Sequence, residues 1–118
     1  MRSGDLEVNG GEIIGLGIPA NITPNGSGST SIGCGIAIAQ HTTNQPINVV
    51  VNGGYVKGFS ALYQSNPQNT DHELVNISIK DGMFNTINNG TVTIYSENKM
   101  NFVNGGIFVP AVKEMYMA

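Results

Sequence analysis

The tetrapeptide Val-Asn-Gly-Gly occurs three times in this chain, at residues 8–11, 51–54 and 103–106, and each copy runs on into an apolar stretch. A degenerate fourth copy, Ile79-Lys80-Asp81-Gly82, lies between the last two. A repeat inside so short a chain constrains the fold strongly. One copy has too few apolar residues for a core of its own, so the copies must stack on one another and share one.

The repeat extends beyond the glycines. Counted from the first residue of each Gly-Gly or Asp-Gly pair, positions −4 and −2 are Leu6 and Val8, Val49 and Val51, Ile77 and Ile79, then Asn101 and Val103. Position +3 is Ile13, Val56, Phe84 and Phe108. Apolar residues two apart, broken by a glycine pair and then resumed, describe strand–turn–strand and exclude a helix. The pairs Gly10-Gly11, Gly53-Gly54, Asp81-Gly82 and Gly105-Gly106 are therefore structural turns, where a sharp corner calls for a positive φ that a Cβ disfavours. A second stretch also recurs: Ile36-Ala37-Ile38-Ala39-Gln40, Ala61-Leu62-Tyr63-Gln64-Ser65 and Val92-Thr93-Ile94-Tyr95-Ser96. Each repeat then supplies two or three short strands.

Successive second glycines are 43, 28 and 24 residues apart. That shrinking interval fits common strands joined by loops of unequal length. Residues 21–31, rich in Gly, Ser, Asn and Pro, read as one such loop and residues 66–73 as another, with a tight turn at Asn88-Asn89-Gly90.

The ordered series of a β-run, a glycine pair, Ser60-Ala61-Leu62-Tyr63-Gln64-Ser65-Asn66-Pro67-Gln68, a further β-run, Ile94-Tyr95-Ser96-Glu97-Asn98 and the closing residues 102–109 resembles right-handed parallel β-helix repeat proteins. In large surface proteins of gut bacteria of this kind, a glycine–glycine–x–phenylalanine signature recurs once per rung. The likeness covers most of residues 4–112 and is strongest over 47–109. It implies an all-β, short right-handed parallel β-helix of about four rungs, in a single domain over residues 1–118. The rungs are expected near 4–20, 32–65, 74–97 and 99–109, with a helical cap over 110–118. The chain departs from the pattern at Lys80-Asp81-Gly82 and in its stretched first repeat.

Composition agrees with a narrow tube. Aromatic residues are only 7% of the chain and Trp is absent, so Ile, Val, Ala and Phe must form the core. Asn is used heavily, and Asn9, Asn52 and Asn104 fall at one repeat position. They either form a side-chain ladder between rungs or each simply solvates its own turn. The segment after Pro110 carries Val112, Met115 and Tyr116 for folding over the last rung, whereas no comparable cap is visible at the N-terminal end. An uncapped end implies self-association or flanking repeats as partners.

Charge is scarce, with a net −3, and the five basic residues Arg2, Lys57, Lys80, Lys99 and Lys113 are scattered. Nothing forms a phosphate-tracking patch, so nucleic acid is not an expected partner. No stretch is apolar and long enough to insert in a membrane. Met1-Arg2-Ser3-Gly4 lacks the apolar segment of a signal peptide. The expected location is therefore the cell surface, as part of a larger exported protein, or alternatively a virion assembled in the cytoplasm.

The residues that could carry chemistry are few. Cys34 lies among glycines and apolar residues and reads as a small core residue; a Cys34–His41 nucleophile pair would lack an orienting acid. Asp71, His72 and Glu73 gather three ligating side chains, but on a strand they alternate in direction, and a solvated polar loop is the simpler account. No metal and no cofactor is expected. A glycosidase pairing of Glu97 with Asp71 or Glu73 needs a cleft that four short rungs do not supply, so the chain is not expected to be an enzyme. Tyr55, Tyr63 and Tyr95 are the candidate platforms for sugar rings, with Asp71, His72 and Glu73 as further ligand-binding candidates. For Tyr63 and Tyr95 the alternative is a stacked pair that orders the tube. The expected function is a non-enzymatic structural or adhesive module of a bacterial surface protein that binds glycans. A homo-oligomeric phage fibre, spike or decoration protein is the alternative, followed by a small polysaccharide lyase or hydrolase.

Overall fold

The structure is a computed structural model, and it describes residues 1–19, 32–39, 45–65 and 73–118. Its strands are β1 (Gly4–Val8), β2 (Glu12–Ile14), β3 (Ile36–Ala39), β4 (Ile47–Val51), β5 (Tyr55–Gly58), β6 (Leu62–Ser65), β7 (Val75–Ile79), β8 (Met83–Thr86), β9 (Ile94–Ser96) and β10 (Ile107–Val109). A single 3-10 turn follows at Glu114–Tyr116. The first sheet has the order β1-β4-β7, the second β10-β8-β5-β2 and the third β3-β6-β9. Every pairing is parallel. Each circuit of the chain lays one strand on each of three sides, which makes a short right-handed parallel β-helix.

The repeat positions pair in register. Val8, Val51 and Ile79 align in the first sheet, and Ile13, Val56, Phe84 and Phe108 in the second. The recurring second stretch forms the third sheet, where Ile36, Leu62 and Ile94 align. Because β3 pairs with β6, residues 36–39 close the first circuit instead of opening the second, so the circuits run over 4–39, 47–65 and 75–96. The expected 32–65 grouping joined two sides of different circuits. Glycine pairs mark only the corner between first and second sheets, and the long segment after β2 concealed the third side.

Alternation does the packing. In β4 and β3 every second residue is buried, and the inward rows of Ile, Val, Leu and Phe form one continuous core. Phe84 and Phe108 stack inside it with ring centroids 4.8 Å apart and planes within 9°. Burying such branched side chains contributes roughly 1.5–3 kcal/mol each, which is where most of the stability of the tube resides.

The corner between first and second sheets explains the degenerate repeat. The second glycine of each pair has a positive φ, +80° at Gly11, +92° at Gly54, +123° at Gly82 and +115° at Gly106. The first position does not require one, so Asp81 substitutes there without strain and its carboxylate accepts the Gly82 N–H at 2.8 Å. At the expected tight turn, Asn88 and Asn89 both have positive φ (55° and 67°), and Gly90 N–H donates to the Ile87 carbonyl at 3.0 Å. That is a type I′ turn.

Both ends of the tube are partly covered. Past Pro110 the chain makes its 3-10 turn and then returns to the first sheet, where Met117 bridges Val103 in parallel. Tyr116 is the plug. Its ring lies against Phe102 with centroids 5.5 Å apart, and its hydroxyl accepts the Ser96 N–H and donates to the Ser96 carbonyl, both at 3.0 Å. The cap is thus one 3-10 turn and a strand bridge, not a longer helix. At the opposite end the Met1 ammonium donates to the Ala37 carbonyl, and Ala39 N–H donates to the Met1 carbonyl at 2.9 Å. An N-terminal cover is therefore present on the third sheet, contrary to the sequence expectation. The outermost strands are β1 and β7 in the first sheet, β2 and β10 in the second and β3 and β9 in the third. Val103 bridges Ile79 of β7 and Met1 meets Ala39 of β3. Each of these edge strands is three to five residues long, and so short an edge is a weak template for further pairing.

Candidate functional site

The outward face of the first sheet carries a hydrogen-bonded row. Asp5, Asn48 and Asn76 occupy one register position on β1, β4 and β7. Asn48 Nδ2 donates to Asp5 Oδ1 at 2.7 Å, and Asn76 Nδ2 donates to Asn48 Oδ1 at 3.1 Å. A second row holds Asn52, whose Nδ2 donates to Asn9 Oδ1 at 2.8 Å and to Glu7 Oε1 at 3.3 Å. The expected Asn9–Asn52–Asn104 ladder thus has its first step. It stops there because the third circuit places Lys80 at that position, and Asn104 follows Lys80 instead of Asn52. The Asp5–Asn48–Asn76 row was missed from sequence, although its signal was present five residues before each turn pair, where Met100 takes the fourth place.

Asp5 gives this row a direction. An ionised carboxylate only accepts, so Asn48 must turn its NH₂ toward Asp5 and its carbonyl toward Asn76. Asn76 repeats the arrangement. One hydrogen of its NH₂ goes to Asn48, and its Oδ1 meets no donor within the row, since the next place in the fourth circuit is Met100, which has no donor side chain.

A cleft opens at that point. Val75, Asn76, Ile77, Lys99, Met100, Asn101 and Phe102 line a space of about 200 Å³. Asn101 is held at φ 57°, and its N–H donates to the Met115 carbonyl of the cap at 3.2 Å. The Lys99 N–H is fixed on Ser96 Oγ at 3.0 Å. Ser96 in turn donates to the fully buried Gln64, whose Oε1 also accepts the Asn98 N–H at 3.1 Å. This interior polar knot anchors the 97–101 segment that forms one wall of the cleft. Sequence reasoning gave no hint of it, since only strand pairing sets Gln64 between Ile38 and Ser96 in one row. Among the described residues the one ion pair is Lys57 Nζ to Glu12 at 3.6 Å, so no carboxylate lies within ion-pair distance of Lys99 there.

The three candidate tyrosines do not share a face. Tyr63 and Tyr95 are register neighbours on the third sheet, stacked with centroids 5.0 Å apart and planes 24° apart. Tyr63 is 9% exposed, and its hydroxyl has no hydrogen-bond partner among the described residues. Burial, then the charge of Glu97 and the neighbouring Tyr63 and Tyr116, hold the Tyr95 hydroxyl above the usual phenol range. Tyr55 lies on the second sheet, with Lys57 Nζ 4.7 Å above its ring. Around it the outward rows mix Glu12, Lys57 and Asn85 with Ile14, Met83, Ile107 and Val109, the last four being 36–58% exposed.

Cys34 is half-buried, and burial pushes its thiol up, outweighing the opposing hydrogen bond with the Ser60 backbone. His41, Asp71 and His72 lie outside the described residues, and Glu73 is exposed. Among the described residues no three His, Cys, Asp or Glu side chains gather as a metal site would require. No helix of the described residues is long and apolar enough to cross a membrane. Comparison with protein-family models, curated proteins and solved structures finds no match for this chain.

Proposed function

We propose that this chain is a non-enzymatic structural and adhesive module of a bacterial surface protein, and that it binds glycans along the outside of its solenoid. The observation that supports this reading is the row Asp5–Asn48–Asn76, a set of polar side chains already ordered by hydrogen bonds on an outward sheet face. Pre-ordered amides lose little side-chain freedom on meeting a polyhydroxyl ligand, which is the condition for useful affinity from a small contact. The resemblance of the glycine-turn repeats to surface proteins of gut bacteria points the same way. The test is a panel of immobilised bacterial and host glycans probed with the purified chain, with parallel incubation to look for cleavage products. Binding without cleavage is the expected outcome. Release of reducing ends or unsaturated sugars overturns the non-enzymatic reading.

A second reading, a homo-oligomeric virion component, is favoured by the exposed apolar side chains of the second sheet, Ile14, Met83, Ile107 and Val109. Light scattering separates the two. The adhesive reading expects the 12.4 kDa monomer and the virion reading a trimer or larger closed ring.

A further inference from the structure

We propose that the cleft between β7 and residues 99–102 is a subsite for one acidic sugar unit, held by Asn76 and Lys99. The inference rests on the glycan-binding reading and names the ligand chemistry and the residues that read it.

Two independent features set the requirement. The first is the direction of the amide row. Asp5 accepts from Asn48 and Asn48 accepts from Asn76, so the row leaves Oδ1 as the unused acceptor of Asn76, a residue that lines the cleft. That acceptor calls for a hydroxyl that donates, and the second Nδ2–H of Asn76 can donate to a further oxygen of the same ligand. The second is Lys99, a cation lining the same cleft without a carboxylate within ion-pair distance among the described residues. A ligand that satisfies both must donate a hydroxyl hydrogen and accept with a negative group a few ångströms away. A uronic acid does this, placing ring hydroxyls on Asn76 and its carboxylate on Lys99.

Size and surface agree. About 200 Å³ is below the range of pockets that enclose a drug-sized ligand, so the cleft takes one ring of a longer chain. Met100, which is 61% exposed, supplies an apolar surface for the C–H face of that ring. Among the described residues no Asp or Glu lines the cleft to repel the carboxylate. Asp5 acts as a positioning residue two strands away, by fixing which way the Asn76 amide is turned.

The experiment titrates the ¹⁵N-labelled chain with digalacturonic acid and, separately, with its methyl ester, which keeps the hydroxyls and loses the charge. The expected result is selective movement of the Asn76 side-chain amide and the 99–101 backbone signals, with the ester bound at least about tenfold more weakly, since a charge-assisted contact is lost. Lys99→Met, which keeps the aliphatic stem, is expected to bind the acid no better than the ester. Asn76→Ala is expected to weaken both, and Lys113→Met, which does not line the cleft, neither. Unchanged thermal melting of Lys99→Met shows that its loss is not unfolding. If saccharides bind but Lys99→Met and Asn76→Ala leave their affinity unchanged, the subsite is wrong and the adhesive reading stands. If no saccharide of the wider panel binds, both fall.

Discussion

Replacing Tyr116 tests whether the C-terminal segment closes the tube or merely lies near it. The side chain is 2% exposed, packs on Phe102 and spans to the third sheet through two hydrogen bonds with Ser96. Truncating a buried aromatic to alanine costs about 3–5 kcal/mol. Here the loss also uncovers Ser96 N–H and C=O, which places Tyr116→Ala at the upper part of that range. Tyr116→Phe keeps the ring and removes only the hydroxyl, leaving both Ser96 groups without it at a cost of about 1–3 kcal/mol. Unfolding entropy of about 2.1 cal/mol/K per residue gives roughly 0.25 kcal/mol/K for a chain of this length, so each kcal/mol lowers Tm by about 4 °C. The expected losses are then about 16–20 °C for Tyr116→Ala and about 4–12 °C for Tyr116→Phe, read by circular dichroism melting. Tyr63→Phe is the internal control: its hydroxyl is buried without a partner among the described residues, so removing it leaves Tm unchanged or raises it. A Tyr116→Ala protein melting within about 2 °C of the parent refutes the plug.

Three other outcomes are expected. Gly54→Ala loses about 1–2 kcal/mol because φ is +92° and its Cβ meets the Gly10 carbonyl at 3.1 Å, whereas Gly10→Ala, with open space around its Cβ, is neutral or slightly stabilising in urea titrations. Gln64→Leu leaves the Ser96 hydroxyl hydrogen and the Asn98 N–H without their acceptor and lowers stability by about 2–4 kcal/mol, measured the same way. Stability also falls in alkali. Burial raises the Cys34 thiol above the ordinary range of a free cysteine, so the folded chain holds that proton more tightly than the unfolded chain. The contribution is complete below the unfolded pKa and is lost as pH rises through the folded one. Cys34→Ala should flatten that alkaline decline in urea midpoints, and a wild-type thiol that reacts with a disulfide reagent as fast as a free cysteine would contradict the burial.

Most of the solenoid was legible in the chain itself. Period-two apolar patterning and glycine pairs are local consequences of the pleat and of φ, so they located the turns and the apolar positions of the strands in the first and second sheets without knowledge of any contact. The third-sheet strands at 36–39, 62–65 and 94–96 were visible for the same reason. Which of them belong to one circuit was not, because pairing across a long connection leaves no local mark. The candidate site was barely legible. Asp5, Asn48 and Asn76 stand at one repeat position, yet a row of amides becomes directional only when stacking brings a carboxylate against its end.

The same division runs through the whole molecule. Sequence alone determined that rungs would stack and where each corner would fall, since period-two patterning and turn glycines are local features, whereas the structure showed why Asp81 is tolerated beside Gly82. The tertiary structure decided the rest: that Met1 covers one end, that Tyr116 plugs the other through Ser96, and that Gln64, Ser96 and Lys99 shape a cleft beside Asn76. Apart from the Ser96–Lys99 bond, those contacts join residues 20 or more positions apart, and only the closing of the tube brings their polar groups within hydrogen-bonding reach.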